Sequence, residues 1–429
     1  MRKVSSASHV RHRQSPERGA MADPFAPAPY LEEAEPLIRA ALGRSGGVVV
    51  DPRPCQVEYR PRRSITVAFH ALVGWHGRVP QPDRVVVRAA RHPLPDDEPV
   101  AEDEDGHPVH VFPASQDPGL PGLRRALDRR RVGALLADLG FGDDGQPVRL
   151  QLRSYRPLRR AVVEAVGPSG RLFIKVVPPE RTLDLHHRHR MIEDFVPVPR
   201  SAGFTDDGIV VLQALPGHTL REVLLGHGRA PDIRTVAAML DRLPAGLTAL
   251  GGPPAASDRV GDHARLITAV LPTAGERLHR MASDIAELAA SAADDPVVAV
   301  HGDLYEGQLL VRQGRILGIL DVDGAGAGRR LDDMANMVGH LSVLATARGS
   351  RRCELVGKAW MGALDRLGWF DPVAFRAEVA AVVLGLATGC FRVQEANWPE
   401  RTLDRLGLAD AWLQSARRAA GLVSGERAS

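Results

Sequence analysis

The sequence predicts an α+β chain with a strand-rich first half and an almost wholly helical second half. Two observations predict it. Up to about residue 212, β-branched runs such as residues 64–73 (SITVAFHALV), 84–90 (RVVVRAA) and 172–177 (LFIKVV) alternate with turns bearing Gly, Pro and Arg. Beyond residue 217, apolar residues recur at helical spacing through nearly every segment, interrupted only around residues 297–320.

Read in order, residues 1–28 are expected to be a disordered tail. The first twenty are basic and Ser-rich without the apolar core of a secretory signal, and Met21 offers an alternative start to Met1. Residues 30–42 form an amphipathic helix, with Leu31, Ala34, Leu37, Ile38 and Ala41 on one face. Strands at 64–73 and 84–90, an acidic Pro-rich loop at 93–106 and a helix over 123–139 follow. An internal echo runs through this region. Tyr59-Arg60-Pro61 leads into strand, turn and strand, and Tyr155-Arg156-Pro157 does the same. Arg88 falls in the first copy about where Lys175 falls in the second. Residues 29–147 therefore read either as an N-terminal cap or as a degenerate copy of the strand unit at 148–212. Residues 213–420 read as helical, with helices over 219–225, 233–250, 259–292 and 332–347 and several after 351; residues 421–429 read as a tail.

Composition bounds the function. A chain of 429 residues has room for two or three domains, and 44% hydrophobic residues suit a well-cored soluble protein. A net charge of +3, with basic residues spread along the chain, gives no basis for a nucleic-acid partner. Cys55, Cys353 and Cys390 are isolated and fit neither a disulfide framework nor a zinc site, which implies a reducing cytoplasm. No apolar stretch reads as approaching the ~20 residues of a membrane span, so no membrane partner is expected. The oligomeric state is left open.

The chemistry is concentrated in residues 301–308 (HGDLYEGQ) and 320–323 (LDVD). Short strands at 297–300, 309–311 and 316–320, with a turn at 312–315, place Asp303 and Gln308 on one loop and Asp321 where the next strand ends. Two carboxylates and an amide converging on one point are what Mg²⁺-assisted phosphoryl transfer requires. A second feature is independent. Of 55 Lys and Arg residues only Lys3, Lys175 and Lys358 are lysines, and Lys175 lies inside an apolar strand. A compact ammonium there suits phosphate contact in a way that arginine's planar fork does not.

These residues resemble the aminoglycoside phosphotransferase family, relatives of the protein kinases, in which an HGD-x-x-x-x-N loop precedes a metal-binding Asp. The match covers His301, Gly302, Asp303 and Asp321 and continues through residues 326–335, with Gln308 standing where the family has Asn. Maltokinases, a branch of the same superfamily, are similar at this point because their loop also reads HGD…GQ. The resemblance implies a protein-kinase-like bilobal fold, with a β-rich N-lobe at 148–212, an α-rich C-lobe from 213 and an extra N-terminal α/β segment. It implies ATP and Mg²⁺ as cofactors, Asp303 as catalytic base, and Gln308 and Asp321 as metal ligands. Lys175 would contact the nucleotide phosphates, and the hinge at Gln213 to Leu215 would meet the adenine.

The expected reaction is transfer of the γ-phosphate to a hydroxyl of a small molecule: an aminoglycoside-like compound, a sugar or another metabolite. Maltokinase-like sugar phosphorylation and a catalytically weak, nucleotide-binding pseudokinase are the alternatives. Besides Gln308, the sequence departs from the family in two further places. The loop at 156–160 holds three arginines and no glycine, and Asp184 is the nearest acidic partner for Lys175 on the following helix. The His186-His187-His189 cluster lacks the i, i+4 pair of a helical metal site and reads as a solvated basic face. Four of five tryptophans fall in the last seventy residues, either as a sugar platform or as helix packing.

Overall fold

The computed structural model describes residues 23–92, 94, 101–102, 106–142, 146–292 and 295–422. The expected tail up to Met21, most of the acidic loop and the C-terminal tail from 423 lie outside the described residues. From Asp23 the chain is packed, and Phe25 is fully buried.

Helices α1 (Pro27–Glu32) and α2 (Ala34–Arg44) replace the single helix expected over 30–42. Strands β1 (Gly47–Arg60), β2 (Ser64–Trp75), β3 (Gln81–Ala90), β4 (Ala101–Glu102) and β5 (Pro108–Pro113) then form an antiparallel sheet in the order β1-β2-β3-β5-β4. Period-two alternation sends Ile65, Val67, Phe69, Val85 and Val87 into a core with Ile38 and Leu42 of the first two helices. Ala68, Val86 and Phe112 enter a second core, shared with the next helix pair, α3 (Leu123–Ala126) and α4 (Arg129–Asp138).

Strands β6 (Arg149–Arg156), β7 (Arg160–Gly167) and β8 (Gly170–Val176), helix α5 (Thr182–Ile192), and strands β9 (Ser201–Phe204) and β10 (Ile209–Gln213) follow. Their sheet has the order β6-β7-β8-β10-β9, the same pattern as the first. Helices α3 and α4 pack on this second sheet, so its core takes in Leu120, Leu123, Val132 and Leu136 as well as Ala68, Val86 and Phe112 of the first.

The two sheets match in detail. Asp23 Oδ2 accepts hydrogen bonds from the Tyr59 hydroxyl at 2.7 Å and the Arg62 N–H at 2.6 Å. Asp117 Oδ2 accepts from the Tyr155 hydroxyl and the Leu158 N–H, both at 2.8 Å. Arg62 and Leu158 share a left-handed φ of 61°. Arg88 faces Thr66, the third residue of β2, and Lys175 faces Val162, the third residue of β7. The Tyr-Arg-Pro echo thus marks a geometric repeat. What differs is the insert: α5 joins β8 to β9, and no described helix joins β3 to β4.

The rest of the chain is helical around two small sheets. Strand β11 (His218–Thr219) leads into α6 (Leu220–Leu225), whose start is fixed by a capping box between Thr219 and Glu222. Helix α7 (Ile233–Leu240) ends well short of residue 250. The helix expected over 259–292 is two, α8 (Val260–Val270) and α9 (Gly275–Ala289). Pro272 drives Leu271 out of helical geometry, to φ −139° and ψ 73°. Strands β12 (Val297–Val300), β13 (Leu309–Arg312), β14 (Arg315–Ile319) and β15 (Gly326–Arg329) frame the chemistry-bearing loops. Helices α10 (Arg330–Arg348), α11 (Arg351–Leu367), α12 (Pro372–Arg392) and α13 (Trp398–Ala419) close the fold.

The expectation that no stretch reaches membrane-spanning length is corrected by α12, which has 21 residues and is apolar enough by composition. It is the central helix of this unit: 67% of its apolar window is buried, and Val379, Val383 and Leu384 lie in the main core with Met334, Val338 and Leu341 of α10.

Candidate active site

The loop after β12 is built by local constraints. β12 pairs with β15, and β13 with β14 through a Gln313-Gly314 turn with φ of 50° and 78°, the primed geometry that suits a two-residue hairpin. Gly302 has φ 83°, and a Cβ there would lie 2.5 Å from the Gly324 carbonyl oxygen, so both torsion and space require glycine. His301 Nε2–H donates to the Leu320 carbonyl at 2.8 Å, while its Nδ1 accepts the Asp303 N–H at 3.3 Å. One imidazole thus ties the loop to the strand that delivers Asp321. The buried Asp333 of α10 accepts the His301 and Gly302 N–H groups, each at 2.8 Å. Its neighbour Asp332 accepts the Arg329 N–H and caps the same helix. The two neighbouring aspartates thus divide two duties, Asp332 capping the helix and Asp333 holding the loop.

Asp321 follows β14 with φ 58°, a left-handed conformation costly for a residue with a Cβ and characteristic of functional sites. Lys175 Nζ donates to Asp321 Oδ1 at 2.6 Å and also to Asp323 Oδ1. Arg160 Nη1 lies 3.1 Å from Asp321 Oδ2 and 3.8 Å from Asp323. Gln308 Nε2 reaches Asp321 Oδ2 at 3.3 Å. Burial works against ionisation of Asp321, but Lys175 and Arg160 outweigh it and hold the carboxyl well below its ordinary range. Gln308 and the two aspartates offer hard oxygens of the kind that Mg²⁺ takes a few of, leaving the rest of its octahedron to water and phosphate. The donor set fits the ion. Among the described residues no group of three or more His, Cys, Asp and Glu gathers to hold a metal, at this cleft or away from it, so a bound ion would draw on Gln308 and the two aspartates together with water and phosphate.

Asp303 opens into a cleft of about 450 Å³ walled by all three units of the chain. Desolvation by those walls raises the Asp303 pKa; His301 opposes the rise and the Asp321 charge adds to it. The walls include Glu58 and Tyr59 of β1, the arginines of the β6–β7 turn, and Arg392 at the end of α12.

The remaining expected residues are distributed as follows. Gln213 ends β10, and its N–H is taken by the Arg200 carbonyl at 2.9 Å. Leu215, half-buried, packs near Gly318 in the segment joining the lobes. Asp184 does not partner Lys175. It pairs with Arg188 at 3.0 Å, and Lys175 takes the two aspartates of the 321–323 segment instead. The residue of α5 whose charge environment Lys175 shapes is His189, which is buried with a pKa lowered to about 4, first by desolvation and then by Lys175. The basic face expected there is therefore wrong in part: Arg188 and His189 turn inward and His187 stays exposed. None of the C-terminal tryptophans lines the cleft; Trp360 and Trp412 donate to Pro231 and Ser342 in helix packing. Arg160 and Asp323 join the site without having been expected there, and the arginine-rich loop at 156–160 is the only sequence signal for Arg160.

Residues 158–368 match the sequence model of the phosphotransferase enzyme family. No curated protein sequence matches the chain. Among solved structures, a thermostable mutant of aminoglycoside phosphotransferase APH(4)-Ia in a ternary complex with AMP-PNP and hygromycin B is 17% identical, covers 66% of this chain and 98% of its own, and has a TM-score of 0.46. Macrolide 2'-phosphotransferase MphH from Brachybacterium faecium is 18% identical, covering 65% and 97%, with a TM-score of 0.38. An ethanolamine kinase from Plasmodium vivax is 12% identical, covering 63% and 84%, with a TM-score of 0.43.

Proposed function

From the premise that residues 158–368 form a phosphotransferase-family domain, we propose that the protein is an ATP- and Mg²⁺-dependent kinase of a small hydroxylated molecule. The observation that carries this reading is the convergence of Lys175 from β8, Gln308 and Asp303 from one loop, and Asp321 and Asp323 from the next. Residues separated by more than a hundred positions meet at one cleft, in the combination that phosphoryl transfer uses.

In this reading Asp303 accepts the proton of the acceptor hydroxyl as its oxygen attacks the γ-phosphorus. The bond to the β–γ bridging oxygen breaks, and ADP leaves with that electron pair. Because such transition states are loose, Asp303 acts mainly by orienting the hydroxyl, and its raised pKa brings its basicity closer to neutral pH. Gln308, Asp321 and Asp323 would hold Mg²⁺, which when bound supplies charge neutralisation to the phosphates. Lys175 and Arg160 would exchange their carboxylate partners for phosphate oxygens, and the backbone after Gln213, around Leu215, would meet the adenine edge.

The test is mass-spectrometric detection of a phosphate adduct after incubation with Mg-ATP and a pooled library of sugars, aminoglycosides, macrolides and amino alcohols. A product formed by the wild type and lost in Asp303→Asn supports the reading. ATP-dependent stabilisation without any product would favour a nucleotide-binding pseudokinase. Two features lean that way: a β6–β7 turn without glycine and the absence of an α5 carboxylate against Lys175.

A further inference from the structure

The cleft above Asp303 carries more positive charge than the reaction centre needs. Arg160 is committed to Asp321 and Asp323, and Arg159 lies 3.9 Å from Glu58. Arg156 and Arg392 are different. Both are half-buried on the cleft wall, one from the β6–β7 turn and one from the end of α12, and neither forms an ion pair among the described residues. Arg405, the nearby cation that could compete for a partner, already has Glu395 at 3.2 Å. Burial is the first cause lowering the pKa of each guanidinium, and mutual repulsion adds to it, since Arg156 and Arg160 both act on Arg392. The Glu58 charge acts on both arginines and the Asp303 charge on Arg156, but neither carboxylate comes within ion-pair distance of them, and the pair borders the catalytic base. Two crowded, unpaired guanidinium forks are an unfavourable arrangement unless an oxyanion completes them.

We propose that the acceptor bears an oxyanion, a carboxylate or a phosphate, in addition to the hydroxyl that is phosphorylated, and that Arg156 and Arg392 bind it. The cleft volume of about 450 Å³ suits such a metabolite. A polycation would meet repulsion at the same wall, with Glu58, already facing Arg159, as the one acidic wall residue outside the 303 and 321–323 segments. The first sheet contributes that part of the wall through Glu58 and Tyr59. This inference rests on the phosphotransfer reading of the same site and assigns its substrate class.

The experiment is thermal unfolding of the full chain with Mg-AMP-PNP held saturating, while inorganic phosphate or malonate is titrated in. Wild type should show a further saturable stabilisation by one of the two anions, and which one works separates phosphate-bearing from carboxylate-bearing acceptors. Arg156→Gln and Arg392→Gln should each weaken the anion's apparent affinity by about tenfold or more while keeping the shift caused by the nucleotide. Arg392→Lys, which retains charge but lacks the fork, should fall between. A nucleotide shift with no anion effect, or an anion effect unchanged in both Gln variants, overturns the inference and leaves the phosphotransfer reading standing. Absence of the nucleotide shift itself overturns both.

Discussion

Lys175→Met is the perturbation for which the structure gives the most definite expectation. The residue is 5% exposed, and its ammonium is shared between Asp321 at 2.6 Å and Asp323. Deleting it leaves the two carboxylates facing each other across Arg160, which lies 3.1 Å from one and 3.8 Å from the other. Removing one partner of a buried pair costs about 3–5 kcal/mol, and the remaining guanidinium lowers the expected loss here to about 2–3 kcal/mol. Urea denaturation at neutral pH reads that loss directly.

The pH dependence has a fixed sign. The folded-state pKa of Asp321 is depressed, so its contribution to stability is present above the unfolded value, near ~3.9, and is lost as pH falls through the folded one. The gap between wild type and Lys175→Met should therefore narrow below about pH 4. Asp321→Asn should couple: the double variant should lose clearly less than the sum of the two singles. A loss under about 1 kcal/mol, or additive behaviour, would refute a lysine held by these carboxylates.

Other expectations follow from the same geometry. Asp303→Asn should lower turnover by about a hundredfold or more while leaving nucleotide-induced stabilisation intact; loss of both together would show a folding defect instead. Because the Asp303 pKa is raised, activity should be lost as pH falls through a value above the ordinary ~3.9 of an aspartate, and a kcat/KM profile with its acid limb at or below that value would contradict this. Gly302→Ala combines a left-handed φ with a 2.5 Å clash, so it should destabilise by more than Gly77→Ala, which has a similar φ of 76° in open space and should cost about 1–2 kcal/mol in denaturant unfolding. Asp117→Ala removes the acceptor of the Tyr155, Leu158 and Gly119 hydrogen bonds that hold the turn carrying Arg160, so it should raise the KM for nucleotide. The matching change Asp23→Ala in the first sheet should leave that KM unmoved.

The loop chemistry was legible because its constraints are local. Gly302 and the Gln313-Gly314 turn need particular torsions, and Asp303, Gln308 and Asp321 lie within one strand-loop-strand segment. Lys175 stood out because arginine serves nearly every other basic position. Its partners were not legible, since the ion pair to Asp321 spans 146 residues of sequence and only folding selects it over Asp184. β1 escaped notice for a local reason: Pro52 and Pro54 argue against a strand. They are tolerated because β1 is an edge strand whose register shifts between Val50 and Arg53 and again between Pro54 and Gln56.

The Tyr-Arg-Pro echo shows what sequence repetition does and does not carry. The tyrosine, its aspartate anchor and the left-handed residue three positions later recur because they fix the hairpin, whatever the sheet is used for. Arg88 occupies the register of Lys175 but finds no carboxylate pair among the described residues, and its Nη1 is buried there without a hydrogen-bond partner. Register is set by backbone pairing within one sheet. The carboxylates that Lys175 meets come from the 301–323 segments of the helical unit, and these approach the second sheet and not the first. The first sheet can repeat the frame and still hold no second copy of the site; its contact with the chemistry is through the cleft wall at Glu58 and Tyr59.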